Sequence, residues 1–157
     1  MNIITATKTC FRKYITFSGR ATRSEYWWFF VAVMLMNIAA SLIDGFMGIT
    51  NPEAMGPVEM VVSFGVFLPM LSAAVRRLHD TGRPGFYVLV PIVCGSISGS
   101  LVALAMLQSV LLMLLAGLIG IAGFVVYIYW LVKPSDPGPN RYGPHPSEPQ
   151  DYGEVFQ

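Results

Sequence analysis

PGFYVLVPIVCGSISGSLVALAMLQSVLLMLLAGLIGIAGFVVYIYWLV, residues 84–132, runs for 49 positions without a Lys, Arg, Asp or Glu. A transmembrane helix needs roughly 20 such residues, so this stretch holds two crossings. A soluble core would not be built from so long an uncharged run. The rest of the chain agrees: 54% of residues are hydrophobic, 12% are charged and the mean hydropathy is +0.58, above what soluble domains carry.

Upstream lie two more apolar stretches. YWWFFVAVMLMNIAASLI (26–43) meets no charge until Asp44, and Val58 to Val75 ends at Arg76. Thr22-x-x-Glu25 has capping-box spacing, which predicts a helix start near Ala21–Arg23. Pro57 suits a first helical position, and Glu59 falls where the helix dipole favours a negative charge. Pro69 removes the hydrogen-bond partner of Gly65, so a kink is expected there. Gly82 and Pro84 read as the stop of this helix. The turn between the last two spans is expected around Leu107–Ser109, although GSISGS (95–100) offers the alternative of a broken third helix. Gly95 with Gly99, and Ala116 with Gly120, are spaced for close helix packing.

We therefore expect an all-α integral membrane bundle of four transmembrane helices. A four-span domain, 26–132, holds spans near 26–46, 58–76, 86–106 and 110–132. Before it comes an N-terminal segment, 1–25, whose basic and apolar stretch TKTCFRKYITF (7–17) suits a helix lying along the inner membrane surface. After it comes a Pro/Gly-rich tail, 133–157, holding six of the eleven prolines; it is expected to be a loop or disordered unless it docks. No signal-peptide pattern precedes Ser24, so the first span is expected to be retained as an anchor.

Charge sets the expected orientation. Lys8, Arg12, Lys13, Arg20, Arg23, Arg76, Arg77, Arg83, Lys133 and Arg141 all fall on one side of this arrangement. The other side has Asp44, Glu53 and Glu59. The positive-inside rule then puts both termini in the cytoplasm. Trp27, Trp28 and Trp130, with Phe86, Tyr87, Tyr127 and Tyr129, fall at the same ends as interfacial anchors. A net charge of +1 gives no reason to expect nucleic acid. Neither Cys10 nor Cys94 has metal-ligand spacing, and no cofactor is expected.

Three stretches share the basic side: SGRATRSEYWWF (18–29), RRLHDTGRPGFY (76–87) and PGPNRYGPHP (137–146). In this order around these spans they resemble the YhaH/YhaI-like family of bacterial inner-membrane proteins of unknown function (DUF805), from about Phe11 to Pro146. Gly19, Arg20, Arg23, Glu25, Tyr26 and Trp27 fit its first motif. Arg76, Arg77, Leu78, His79, Asp80, Gly82 and Gly85 fit the second, and Asn140, Tyr142, Gly143 and Pro146 the third. Pro84, Phe86 and His145 depart from it. The resemblance implies a small multi-span protein of the bacterial inner membrane and implies no reaction.

Topology, helix dipole and attraction to anionic lipid are enough to explain Arg76, Arg77 and Arg83. Asp80 is not explained that way, because a carboxylate in a last turn opposes the dipole. It must be solvated or paired, and Arg76 and Arg77 lie at i−4 and i−3. We expect Glu25 and Asp80 to hold arginines from different segments so that their forks face phosphate or carboxylate. The expected binding residues are Arg20, Arg23, Glu25, Arg76, Arg77, His79, Asp80, Arg83 and Asn140. The expected partners are the bilayer and its anionic lipids, with a second copy or another membrane protein. The expected role is a non-enzymatic scaffold or accessory protein. Two alternatives belong to other classes. A transporter or channel subunit would use Asn37, Ser41, Ser63, Ser72, Ser96 or Ser98, with Asp44 and Glu59 near the outer end. An enzyme would use His79, but adjacent helical residues point about 100° apart, so His79 and Asp80 form no dyad by proximity alone.

Overall fold

The structure, a computed structural model, describes residues 1–49, 54–105 and 109–146. Its helices are α1 (Ile3–Arg12), α2 (Arg23–Phe46), α3 (Pro57–Asp80), α4 (Val90–Ala105) and α5 (Val110–Val132), with a 3-10 turn at Gly85–Leu89. Four helical stretches, α2, α3, Gly85–Ala103 and α5, are long and apolar enough to cross a membrane. Glu53, Leu107, Gln108 and the tail beyond 146 lie outside the described residues.

The helix ends follow from local chemistry. Asn2 caps α1, its Oδ1 accepting from the Thr5 amide at 2.9 Å. Thr22 caps α2, its Oγ1 accepting from the Glu25 amide at 3.1 Å. Only this half of the expected capping box forms, because the Glu25 carboxylate turns inward to Arg76. At the far end of the α2–α3 pair, Asp44 accepts from the Val58 amide (3.1 Å) and the Glu59 amide (2.8 Å), capping the next helix. Gly56 packs so closely on Asp44 that no side chain fits there. At its other end α3 closes with a Schellman motif: the Gly82 amide donates to His79 O and the Arg83 amide to Leu78 O, each at 3.0 Å. Gly82 has φ +71°, the left-handed conformation this cap requires.

Pro69 leaves the Gly65 carbonyl without an in-helix donor, and Tyr14 supplies one, its hydroxyl donating at 2.6 Å. Ser72 donates to the carbonyls of Lys13 (3.0 Å) and Thr16 (2.7 Å), fastening the chain that leaves α1. Tyr14→Phe is expected to lower stability by about 1 kcal/mol, read as a shifted midpoint of SDS-induced unfolding in mixed micelles. A change under about 0.3 kcal/mol would mean that water serves this carbonyl equally well.

Every residue of α3 from Ser72 to Asp80 is buried except His79, which is half-buried. α1, the 13–22 connection, the start of α2, the end of α5 and the tail surround this end. The apolar core lies here as well, built on Ala6, Cys10, Tyr26, Phe29, Ala73, Ala74 and Leu131. α4 and α5 instead keep most of their apolar side chains exposed, as lipid-facing helices do. α4 packs on α5 and on the 3-10 turn, and α5 meets α3.

α4 runs unbroken through GSISGS. Gly95 and Gly99 face open space rather than α5. The close approach is made by Gly123 on Cys94 and Gly120 on Ser98, whose hydroxyl donates to Ala116 O at 2.7 Å. Cys94 and Ser98, each one residue before an expected glycine position, thus meet the small residues of α5. The tail also differs from a free loop, for its contacts dock it as far as Gly143.

Candidate functional site

The last turn of α3 is rich in charge: Arg77 and Asp80 pair within it, while Arg76 and Asp80 also reach partners on other segments. Arg76 points toward α1 and α2. Its Nη1 donates to Glu25 and its Nη2 lies 4.0 Å from Cys10 Sγ, while its Nε has no hydrogen-bond partner among the described residues. Cys10 Sγ lies 3.9 Å from Glu25 Oε1. Burial, and then the Glu25 charge, pushes the Cys10 thiol up to about 11, so it stays protonated at neutral pH.

Asp80 is the hub. One carboxylate oxygen accepts from Arg20 Nε at 3.0 Å; the other accepts from Arg77 Nη1 and from the Ser135 hydroxyl. Of the two arginines that helical spacing offers Asp80, one takes it. Arg77 at i−3 pairs with it, but Arg76 turns to Glu25, and Arg20 arrives from 60 residues away. Arg76, Arg77 and Asp80 are each 0% exposed, which leaves three buried guanidinium groups against two carboxylates.

The remaining donors collect the tail. Arg77 Nε donates to Leu131 O at 2.9 Å and its Nη2 to Lys133 O. Arg20 donates to Asp136 O at 2.7 Å and Gly138 O at 2.6 Å. The carbonyls of Leu131 and Lys133 close the end of α5, where helix geometry leaves them unsatisfied, and those of Asp136 and Gly138 follow in the irregular tail. Asn140 donates from Nδ2 to His79 O at 3.0 Å, and its backbone forms an isolated bridge with Gly143. The His79 ring stacks on Tyr142 at 3.8 Å between centroids. Its Nδ1 lies 3.2 Å from Gly19 O and, since a carbonyl only accepts, donates to it.

The nine expected binding residues thus divide by position. Arg20, Arg76, Arg77, Glu25 and Asp80 form one buried lattice, with their principal donors and acceptors facing inward. His79 and Asn140 are half-buried and clamp the tail. Arg23 is exposed. Arg83 is half-buried, with its guanidinium 5.2 Å above the Trp130 ring. Sequence reasoning missed Cys10, Ser135 and the carbonyls of 131–138. The excess of arginine donors over nearby acids was a signal for the carbonyls, whereas nothing local pointed to Cys10 or Ser135.

Two depressions open beside the lattice and share no lining residue. One, about 530 Å³, lies among Arg83, Tyr87, Trp130, Lys133 and Asp136. Tyr87 stacks on Trp130 at 4.9 Å, and Lys133 pairs with Asp136 at 3.6 Å, partly exposed. The other, about 540 Å³, lies among Arg12, Lys13, Arg20, Glu25, Tyr142 and His145. At membrane depth, Asn37 accepts from Ser63 at 2.7 Å and donates to Val33 O, so these polar groups satisfy one another.

The family model described as "Protein of unknown function (DUF805)" matches residues 14–144. Inner membrane protein YhaH of Escherichia coli (strain K12) is 27% identical over 135 residues, 86% of this chain and 90% of that protein. Inner membrane protein YhaI of the same organism is 37% identical over 79 residues, 50% of this chain and 64% of that protein. No solved structure matches.

Proposed function

This chain belongs to the DUF805 family of proteins of unknown function, and on that premise we propose that it is a non-enzymatic scaffold or accessory protein of the bacterial inner membrane. Both termini are cytoplasmic in this reading, and the basic end binds anionic lipid headgroups. The observation that carries it is Arg83 held over Trp130, with Lys133 lining the same depression. A cation stacked on an interfacial tryptophan sits at headgroup level, where aromatic rings anchor a membrane protein. Two cations there attract an anionic leaflet by about 1 kcal/mol each. The exposed partial pair between Lys133 and Asp136 opposes this only weakly.

The buried lattice has a different task in this reading. It holds the end of α3, the connection before α2 and the tail in one arrangement, so that the surface cations are presented by a fixed frame. His79 belongs to that frame. With Nδ1 on a carbonyl, one face on Tyr142 and its Nε2 edge against Gly85, it is placed as a wedge rather than as an acid or base.

Native mass spectrometry from mixed phosphatidylcholine and phosphatidylglycerol tests the reading. The wild-type protein is expected to retain phosphatidylglycerol selectively. Arg83→Ala with Lys133→Ala should reduce that retention at least fivefold while leaving helical content unchanged. Equal retention by the double variant would count against the site.

A further inference from the structure

The second depression shares no lining residue with the Arg83–Lys133 site, and among the described residues its charge does not cancel. Arg20 and Glu25 line it, but each is already neutralised behind the wall, Arg20 by Asp80 and Glu25 by Arg76. Arg12 and Lys13 line it too, and among the described residues no carboxylate lies within ion-pair distance of either. Among the described residues, two side-chain positive charges are left over in a concavity that Met1 also lines.

Its walls are fixed. The floor is the 19–25 segment, tied to α3 through the Ala21 amide on Arg76 O at 3.0 Å. The far wall is the tail turn, pinned by Asn140 on His79 O, by the Asn140–Gly143 bridge and by Tyr142 on His79. Arg12 is exposed and Lys13 half-buried at the C-terminal end of α1, and the Ser72 hydroxyl fixes the backbone there. A volume of about 540 Å³ falls within the range of small-molecule sites, roughly 300–1,000 Å³.

We propose that the cavity between the end of α1, residues 19–25 and the docked 142–146 turn is a binding site for a ligand bearing a dianionic phosphate group, with Arg12 and Lys13 as its cationic contacts. A carboxylate would neutralise one of the two charges, whereas a phosphate monoester carries about −1.5 to −2 and accepts from both side chains at once. The cavity is larger than a bare phosphate needs, so the group is carried on a small body. That body is either a soluble phosphate ester or a lipid headgroup lifted from the interface.

Inorganic pyrophosphate serves as the probe, titrated calorimetrically into the full chain in phosphatidylcholine nanodiscs at low salt. Saturable binding is expected, at least tenfold weaker in Arg12→Ala with Lys13→Ala and unchanged in Arg83→Ala with Lys133→Ala. The first pair of positions is accessible, so both variants should keep the wild-type circular dichroism; Arg12→Gln with Lys13→Gln supplies the same readout should alanine disturb α1. Repeating the titration with phosphatidic acid, whose phosphate is a monoester, in the nanodisc separates the two sources. Competition supports a headgroup ligand at this site, and an unchanged affinity supports a soluble ester. Absence of saturable binding, or affinity within twofold of wild type in both Arg12/Lys13 variants, overturns the proposal, as does equal loss in the Arg83/Lys133 variant.

Discussion

Asp80→Ala is expected to lower stability by about 3–5 kcal/mol and to release the tail from the end of α3. Asp80 accepts from Arg20, Arg77 and Ser135, and both arginines are sealed from water. Removing its carboxylate leaves two guanidinium groups buried with only carbonyl dipoles against them. Neither can shed its proton at neutral pH, so the end of the helix must open to hydrate them. The tail hangs from the same two side chains, through Leu131, Lys133, Asp136 and Gly138. Trypsin should therefore cut after Arg141 faster in the variant, alongside an earlier SDS unfolding midpoint. Asp80→Asn separates charge from shape, since it keeps an acceptor but not the negative charge. It should lose nearly as much stability as alanine. Wild-type cleavage and a midpoint within about 1 kcal/mol in both variants would show that the lattice does not hold this end together.

How much of this can be read from residues alone depends on whether a local rule decides it. The crossings follow from uncharged length, the start of α2 from Thr22 and the end of α3 from Gly82. The demand for a donor at Gly65 follows from Pro69, but Tyr14 as the donor does not. Asp80 shows the boundary most clearly. Its place in a last turn states that it needs a cation, and helical spacing nominates Arg76 and Arg77. Nothing local favours Arg20, because that pairing depends on α1 and the 13–22 connection folding back on α3.

The arginines were ambiguous for a related reason. The same basic residue at a helix end serves topology when wet and architecture when buried, and burial depends on what lies on top. Here the cover is α1 and the proline-rich tail, two segments whose composition suggests a surface coat and a loop. The tail is irregular, as its prolines require, yet its carbonyls are what the arginine forks bind. An extended chain with unpaired carbonyls is a suitable ligand for buried guanidinium groups, because regular structure would have consumed those acceptors internally. Residues 137–146 thus share a face with the other two motifs for a physical reason, as the third part of one lattice.

The Glu25–Arg76 pair tests whether that lattice contributes stability or only position. Glu25→Ala alone is expected to cost about 3–5 kcal/mol. It strands Arg76, which is fully buried, already has an unpartnered Nε and would keep only the Cys10 sulfur nearby. Replacing both members, Glu25→Leu with Arg76→Met, should recover the wild-type SDS unfolding midpoint to within about 1 kcal/mol or exceed it. Two apolar side chains of similar length avoid the desolvation that the ion pair only partly offsets. They also extend the existing cluster of Cys10, Tyr26, Phe29 and Ala73. Three midpoints, for Glu25→Ala, Arg76→Met and the double replacement, distinguish the possibilities. Recovery in the double variant means the pair is retained for the position it imposes on α2 and α3, with its stability replaceable by packing. A double variant as unstable as Glu25→Ala would refute that view and make the ion pair itself a source of stability. The same measurement bears on Asp80, which cannot be treated this way. With two arginines and a serine on one carboxylate, no apolar pair fills its place, so the hub should remain sensitive after the Glu25–Arg76 arm has become dispensable.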